Sequence, residues 1–285
     1  MPPTSPSPVP QDLGAAIDDV SASTRQYIWH NHGILFGTLT ALCVSLSAII
    51  SLALYEAYSL HLGDFDARSI IWPVLPLGAV WITYQFFYAH VQHLFVQQLA
   101  AAIGYSYSSF APNNTVAGTF FNLGNSSTLG DVMEGTLKNK PVRIFTYTYV
   151  TGSGKTRETH TYTVFEMQYG LPLPHILMNL PILFIPENME PVELEGGFEE
   201  HFKLYTPKGM QMEVREVFQP DVMEDIMKSL SSFSLEIAEG TVYLMKKGAF
   251  TKKQTFLDMR SAVENLFEDI LPGLATVARD ARAQA

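Results

Sequence analysis

The sequence predicts a membrane protein of mixed class, two transmembrane α-helices followed by an α+β domain with antiparallel strands. Three observations carry that prediction. Only 16% of the 285 residues are charged, against about a quarter in an average soluble domain. The deficit is concentrated, since residues 26–55 and 69–130 contain no Asp, Glu, Lys or Arg. From Asp131 onward the balance changes to 22 acidic and 16 basic residues, spread among short β-branched and aromatic runs that read as strands.

The opening MPPTSPSPVP has five prolines in ten residues, and residues 1–11 are expected to be a disordered tail. Residues 12–28 place Leu13, Ala16, Ile17 and Val20 on one helical stripe. The other face is acidic, whereas a helix lying on a membrane surface is usually basic. A lead-in helix that packs on protein is expected.

Residues 33–55 and 69–89 are the two expected spans. The first is an uncharged run of 23 residues, about 34 Å as a helix against a hydrocarbon core of ~30 Å. Tyr27 and Trp29 precede it, and Tyr55 and Tyr58 close it. Trp72 opens the second run, and Phe86, Phe87 and Tyr88 end it. Amphipathic rings favour the headgroup level, where these would fall. A cleaved signal peptide does not fit, because the run is too long and acidic Asp12, Asp18 and Asp19 precede it. The loop Glu56–Arg68 carries one Arg and three acids, so it is expected outside. Both termini then lie in the cytoplasm, and the protein lies in the cell membrane with the bilayer as a partner.

The second helix is expected to continue to about Gly104, completing a lead-in and two-span unit over 12–104. Residues 105–130, rich in Ser, Asn and Gly, read as a connector with some strand character. The water-facing domain is then 131–285. Its clearest element is a hairpin over 141–168, with a Gly/Ser turn between two β-branched and aromatic runs. In the first run Phe145, Tyr147 and Tyr149 share one face, and Thr146 and Thr148 the other. Short apolar pieces, HILMNL and ILFI, punctuate 171–192. Strands are expected at 201–205 and 210–214 about the turn Pro207-Lys208-Gly209. A helix is expected over 221–230, and a second hairpin pairs 233–238 with 241–246 about Glu239-Gly240. Phe256, Met259, Val263, Leu266, Phe267 and Ile270 mark a terminal helix facing the core. Strand pairs separated by helices, without βαβ alternation, make this α+β.

The segments EGTLKNKPVRIFTYTYVTGSGKTRETHTYTVFEM and EEHFKLYTPKGMQ resemble a group of uncharacterised two-span bacterial membrane proteins found among reduced-genome candidate phyla. The likeness covers most of residues 30–270. It implies two spanning helices and a C-terminal cytoplasmic α+β domain of unknown function, and it carries no active site to transfer.

Several motifs raise specific chemistry. Gly152-Ser153-Gly154-Lys155-Thr156 is similar to a phosphate loop in composition, but Tyr149 stands where the first glycine belongs and a strand follows instead of a helix. It reads as a hairpin tip. His30 and His32 precede the first span, and His90 and His93 follow the second, so antiparallel spans would bring all four to one membrane face. Four imidazoles at one level are a candidate zinc, copper or haem site, and interfacial histidine with a polar tip in the headgroups is the simpler reading. Glu193, Glu195, Glu199, Glu200 and His201 form an acidic cluster without the alternating ligands of a calcium loop, which reads as a solvated surface. Cys43, the one cysteine, lies in an apolar run as a small hydrophobe. Two Asn-x-Ser/Thr patterns, at Asn113 and Asn125, are too common by chance to signify.

The net charge of −10 argues against a nucleic-acid partner, and no nucleotide or cofactor is implied. The expected role is a non-enzymatic, membrane-anchored module whose α+β domain binds or scaffolds a protein. The alternative is a metal- or haem-handling membrane protein using the four histidines. The hairpin-tip reading is directly testable. Lys155→Ala should change folding stability by no more than about 0.5 kcal/mol and leave ATP binding at background. Saturable ATP binding that disappears in this variant would contradict it.

Overall fold

The structure is a computed structural model that describes residues 18, 26, 33–59, 71–170, 173–180, 185–194, 197–250 and 253–283. The Pro-rich tail, the lead-in helix apart from residues 18 and 26, most of the loop after the first span, and His30 and His32 lie outside the described residues. The chain divides into two compact units, residues 12–99 and 100–285.

The first unit holds two helices, α1 (Ile34–Ser59) and α2 (Ile71–Ala102). In α1, Leu42, Val44, Leu46, Ile49 and Leu52 are all exposed, while Phe36, Cys43, Ser47, Ile50 and Leu54 follow one another at helical spacing on a less exposed face. Thr40, Ser45 and Ser51 return their hydroxyls to the carbonyls of Phe36, Ala41 and Ser47. These bonds satisfy the three hydroxyls within the helix itself. The Phe36 ring stacks on Phe87 of α2, 5.4 Å between centroids. Among the described residues one helix, Phe36–Ser59, is long and apolar enough to cross a membrane by length and composition, with mean hydropathy 2.0. The second expected span forms the first part of α2. There Pro73, Pro76, Trp81, Tyr84 and Gln85 make the helix less apolar than α1.

The second unit is built on one nine-stranded antiparallel sheet in the order β1-β2-β3-β4-β9-β8-β5-β7-β6. Its strands are β1 (Ser106–Ala111), β2 (Ser126–Leu137), β3 (Lys140–Thr151), β4 (Glu158–Gln168), β5 (Ile176–Met178), β6 (Met189–Pro191), β7 (Leu204–Pro207), β8 (Ser234–Ala238) and β9 (Thr241–Lys247). Helices α3 (Phe198–His201), α4 (Gln211–Val217), α5 (Pro220–Ser229), α6 (Lys253–Asn265) and α7 (Leu271–Ala283) complete it, with a π-helical turn at Leu266–Ile270 joining the last two. Pro272 follows that turn, where the ladder is already interrupted and its missing donor costs least.

The expected hairpins are present. β3 and β4 pair from Val142↔Met167 to Thr151↔Glu158, and β8 and β9 close on Glu239 and Gly240, both at positive φ. The helix expected at 221–230 is α5, and the terminal stripe is α6 with its continuation. Phe256, Met259, Val263, Leu266 and Ile270 are buried there, while Phe267 sits against Tyr169 and beneath the Lys138 ammonium.

Two expectations fail. The strand placed at 210–214 is helix α4, and the one placed at 201–205 is displaced to Leu204–Pro207 by the single-turn helix α3. Val214 and Val217 mark why. They are three apart and both buried, which is a helical spacing. The segment 105–130 is also more than a connector. It supplies β1, two 3-10 turns and the start of β2, and the sheet unit begins at Ala100 instead of 131. Its small polar residues sit in an edge strand and in a loop laid over the sheet. Both tolerate a composition that a central buried strand would not.

Strand alternation separates the two faces of the sheet. One carries Val142, Ile144, Phe165, Met167, Val242 and Leu244, and Lys246 on this side reaches Asp258 of α6 at 3.2 Å. The C-terminal helices therefore cover it. The other face carries Phe145, Tyr147, Tyr149, Val164, Tyr243 and Met245, packed with Phe120 and Leu123 of the β1–β2 loop. A fragment starting at Ala100 should thus be soluble and unfold in one cooperative thermal transition. A fragment starting at Asp131 lacks β1 and the covering loop, and should aggregate or melt without a sharp transition. Equal melting of the two would show that the loop is dispensable.

Candidate functional site

The most organised polar feature of the sheet unit is a cross-strand row. Strand register sets Arg143 of β3 opposite Glu166 of β4, Glu166 opposite Tyr243 of β9, and Tyr243 opposite Glu236 of β8. Four neighbouring strands thus present Arg, Glu, Tyr and Glu side by side on one face. Glu236 is fully buried and Glu166 nearly so. A buried charge needs partners, and each one here has them.

The partners come from the loop between β1 and β2, which lies over this face. Arg143 holds Glu166 in a forked pair, Nε to Oε1 at 3.1 Å and Nη2 to Oε2. The same guanidinium donates to the Thr115 carbonyl at 2.7 Å and to its hydroxyl at 3.1 Å. Two residues on, the Ala117 amide donates to the Tyr243 hydroxyl at 3.1 Å. The Thr119 and Phe120 amides donate to the two Glu236 oxygens at 2.6 and 2.9 Å. Tyr147, further along β3, gives its hydroxyl to the Phe121 carbonyl at 3.0 Å. The loop is stitched down in sequence order, from residue 115 to residue 121.

Its own residues suit that path. Gly118 has φ +123, and a Cβ there would lie 2.9 Å from the Glu236 carboxylate, so only glycine lets the loop come this close. Gly124 closes the crossing with φ +78, where a Cβ would meet the Val150 carbonyl at 2.5 Å. Phe120 and Phe121 drop into the aromatic layer. Phe120 lies 5.0 Å from Tyr162 and 5.6 Å from Tyr147, and Phe121 lies 4.8 Å from Tyr243. Such tilted and edge-on pairs add to the area they bury.

Burial shifts the acids and phenols of this face. It pushes the Glu166 carboxyl upward, opposed by the Arg143 guanidinium beside it. It also raises the Tyr243 hydroxyl to about 12, with the Glu166 charge adding to the rise. Tyr147 and Tyr149 are raised by burial as well. Both Glu236 oxygens are occupied, and Oε1 also meets His175 Nε2 at 3.0 Å. With its acceptors engaged by the loop amides, the row holds backbone.

The motifs singled out in the sequence are placed elsewhere. His90 and His93 lie three apart on α2, both exposed, and His30 and His32 lie outside the described residues. Among the described residues no group of three or more His, Cys, Asp or Glu stands together to hold a metal ion. Gly154–Thr156 is a 3-10 turn at the β3–β4 tip, held by the Thr156 hydroxyl on the Ser153 carbonyl at 2.9 Å. The acidic cluster is divided. Glu199 Oε1 accepts the Leu194 amide at 2.8 Å, and Glu193 and Glu199 line a cavity of about 600 Å³ with Arg215, Phe218, Gln219 and Met223. Glu195 lies outside the described residues.

Arg143, Glu166, Glu236 and His175 are not legible in the sequence as a set, though each acid carries a signal. Glu236 stands alone in SLEIA and Glu166 in TVFEMQ, each a single charge within a short apolar stretch. Alternation alone reads them as facing solvent, and only the loop shows that the face is covered.

No protein-family model matches the chain, and no curated protein does. Among solved structures, the crystal structure of the mycobacterial trehalose monomycolate transport factor A, TtfA, is similar with a TM-score of 0.49 at 11% identity, covering 63% of this chain and 93% of that one.

A mutant cycle tests the row. Arg143→Met leaves a buried carboxylate without its cation and should cost roughly 3–5 kcal/mol, while Arg143→Met with Glu166→Met should cost clearly less. In the single variant the folded Glu166 pKa rises further. Its proton is then retained in the folded state, so the deficit should be smallest at acid pH and grow as pH climbs through that raised value. Additive losses independent of pH would show that the pair is not coupled. Glu236→Ala, which strands two loop amides, should cost roughly 2 kcal/mol or more.

Proposed function

We propose that the chain is a cell-membrane protein of two spans, α1 and the first part of α2, and that its α+β domain is a cytoplasmic, non-enzymatic module that binds or scaffolds a protein. One observation carries the reading. The segment Phe36–Ser59 has mean hydropathy 2.0 with Leu42, Leu46, Ile49 and Leu52 exposed, and Trp72 and Trp81 of α2 are likewise exposed. So wide an exposed apolar surface on an uncharged helix is stable where the solvent is itself apolar, and the bilayer is the solvent that fits. The resemblance to two-span bacterial membrane proteins supports the same arrangement.

The second span rests on length, since an uncharged run of 21 residues reaches across the hydrocarbon as a helix. Orientation rests on the Glu56–Arg68 loop, with one Arg beside three acids, which places it outside and both termini in the cytoplasm. The non-enzymatic reading rests on the polar row. Its side chains hold the loop's own backbone, and a domain so braced offers a surface instead of a reacting centre.

Labelling in intact cells tests this reading. In a Cys43→Ala background, a membrane-impermeant thiol reagent should modify a cysteine placed at Ser59 and spare one placed at Ser153. Modification of Ser153→Cys alone would put the domain outside. Modification of neither before lysis and both after it would place the loop inside and remove the two-span topology.

A further inference from the structure

The sheet ends in two unlike edges. At one, β6 is three residues long, ends at Pro191 and carries Glu190. Short length, proline and charge are the usual devices that keep another strand from adding to an edge. At the other, β1 runs six residues, Ser-Tyr-Ser-Ser-Phe-Ala, with neither charge nor proline, and Phe110 is 61% exposed. One edge is guarded and the other is not.

On one side of the sheet the absence of charge extends past the edge, while on the other Glu134 stands opposite Ser106 and Asp131 accepts the Tyr107 hydroxyl. On the Phe110 side of the sheet the register places Thr128 opposite Thr148, and Thr148 opposite Thr161, with Gly130 and Thr146 in the adjoining row. None is ionisable, in a chain of net charge −10. Depletion of charge marks the cores of interfaces. It also identifies where two copies of an acidic protein could approach without repulsion.

We propose that β1 is an association edge, and that its occupant is the β1 of a second copy of this chain, paired antiparallel in the same bilayer. Antiparallel pairing of identical strands is two-fold symmetric, so the same uncharged surface serves both sides, and the main-chain groups of the edge become paired. Six residues a side are far fewer than the roughly 20–30 of a standard interface, so this contact is weak between molecules free in water. Two copies anchored in one membrane meet at a much higher effective concentration, an advantage that a soluble partner lacks. The inference therefore rests on the membrane anchoring proposed above.

The test uses the full chain in liposomes, with Cys43→Ala as background and single cysteines placed in turn at positions 106–111. Oxidation is followed by flotation and a non-reducing gel. Disulfide-linked dimer should peak with the cysteine at Ser108 or Ser109, fall away toward both ends of β1, and stay at background with the cysteine at Ser153. Floating protein with no β1 dimer, or with equal yield from Ser153→Cys, overturns the inference and leaves the anchor standing. Protein that does not float removes the anchor itself, and this inference with it.

Discussion

The sheet unit depends on one covered face. Its strands set Arg143, Glu166, Tyr243 and Glu236 in a single cross-strand row. Bare, that row would be a stripe of charge beside Phe145, Tyr147 and Tyr149, an arrangement that neither water nor a hydrophobic core stabilises. The loop at residues 113–121 resolves the conflict. Its backbone supplies donors to Glu236 and Tyr243 and an acceptor to Arg143, and its phenylalanines cover the rings. Hydrogen bonds to charged groups are worth more than neutral ones, and leaving buried partners unmade costs more still. The loop and the row are therefore stable together, and each is costly without the other.

That dependence explains which parts of the fold are legible in the sequence. The β3–β4 and β8–β9 hairpins have β-branched and aromatic alternation with Gly-containing turns, which are local signals. Tyr147 on the buried face follows from the same alternation. The β2–β3 hairpin lacks such signals, because it turns on Lys138 and Asn139, both at positive φ without glycine, and because β2 contains Gly130, Asp131 and Gly135. Asp131, at φ +51 in the irregular stretch between Gly130 and Met133, accepts the Tyr107 hydroxyl at 2.8 Å. A residue that reads as a strand breaker is held by a contact 24 positions away. Helix α4 reads as a strand because MQMEV supports either period over so short a span.

The candidate site is illegible for a related reason. Glu166 and Glu236 each look like the solvent side of a strand, and their pairing to Arg143, Tyr243 and the loop is entirely long-range. Conversely, the histidines, the glycine-rich tip and the acidic cluster are conspicuous as local patterns, and the described structure gathers none of them into a reacting centre. The polar groups that are gathered, in the cross-strand row, hold the domain's own loop.

The claim that the polar row clamps the loop is tested most directly by amide hydrogen exchange in the folded domain. The amides of Ala117, Thr119 and Phe120 belong to no strand ladder, so ordinary loop amides in their place would exchange quickly. The account predicts that all three exchange as slowly as the central amides of β3 and β4, opening only when the whole domain unfolds. Exchange at the rate of the Ser153–Thr156 tip would contradict it, because the loop would then be resting on the sheet without being held there.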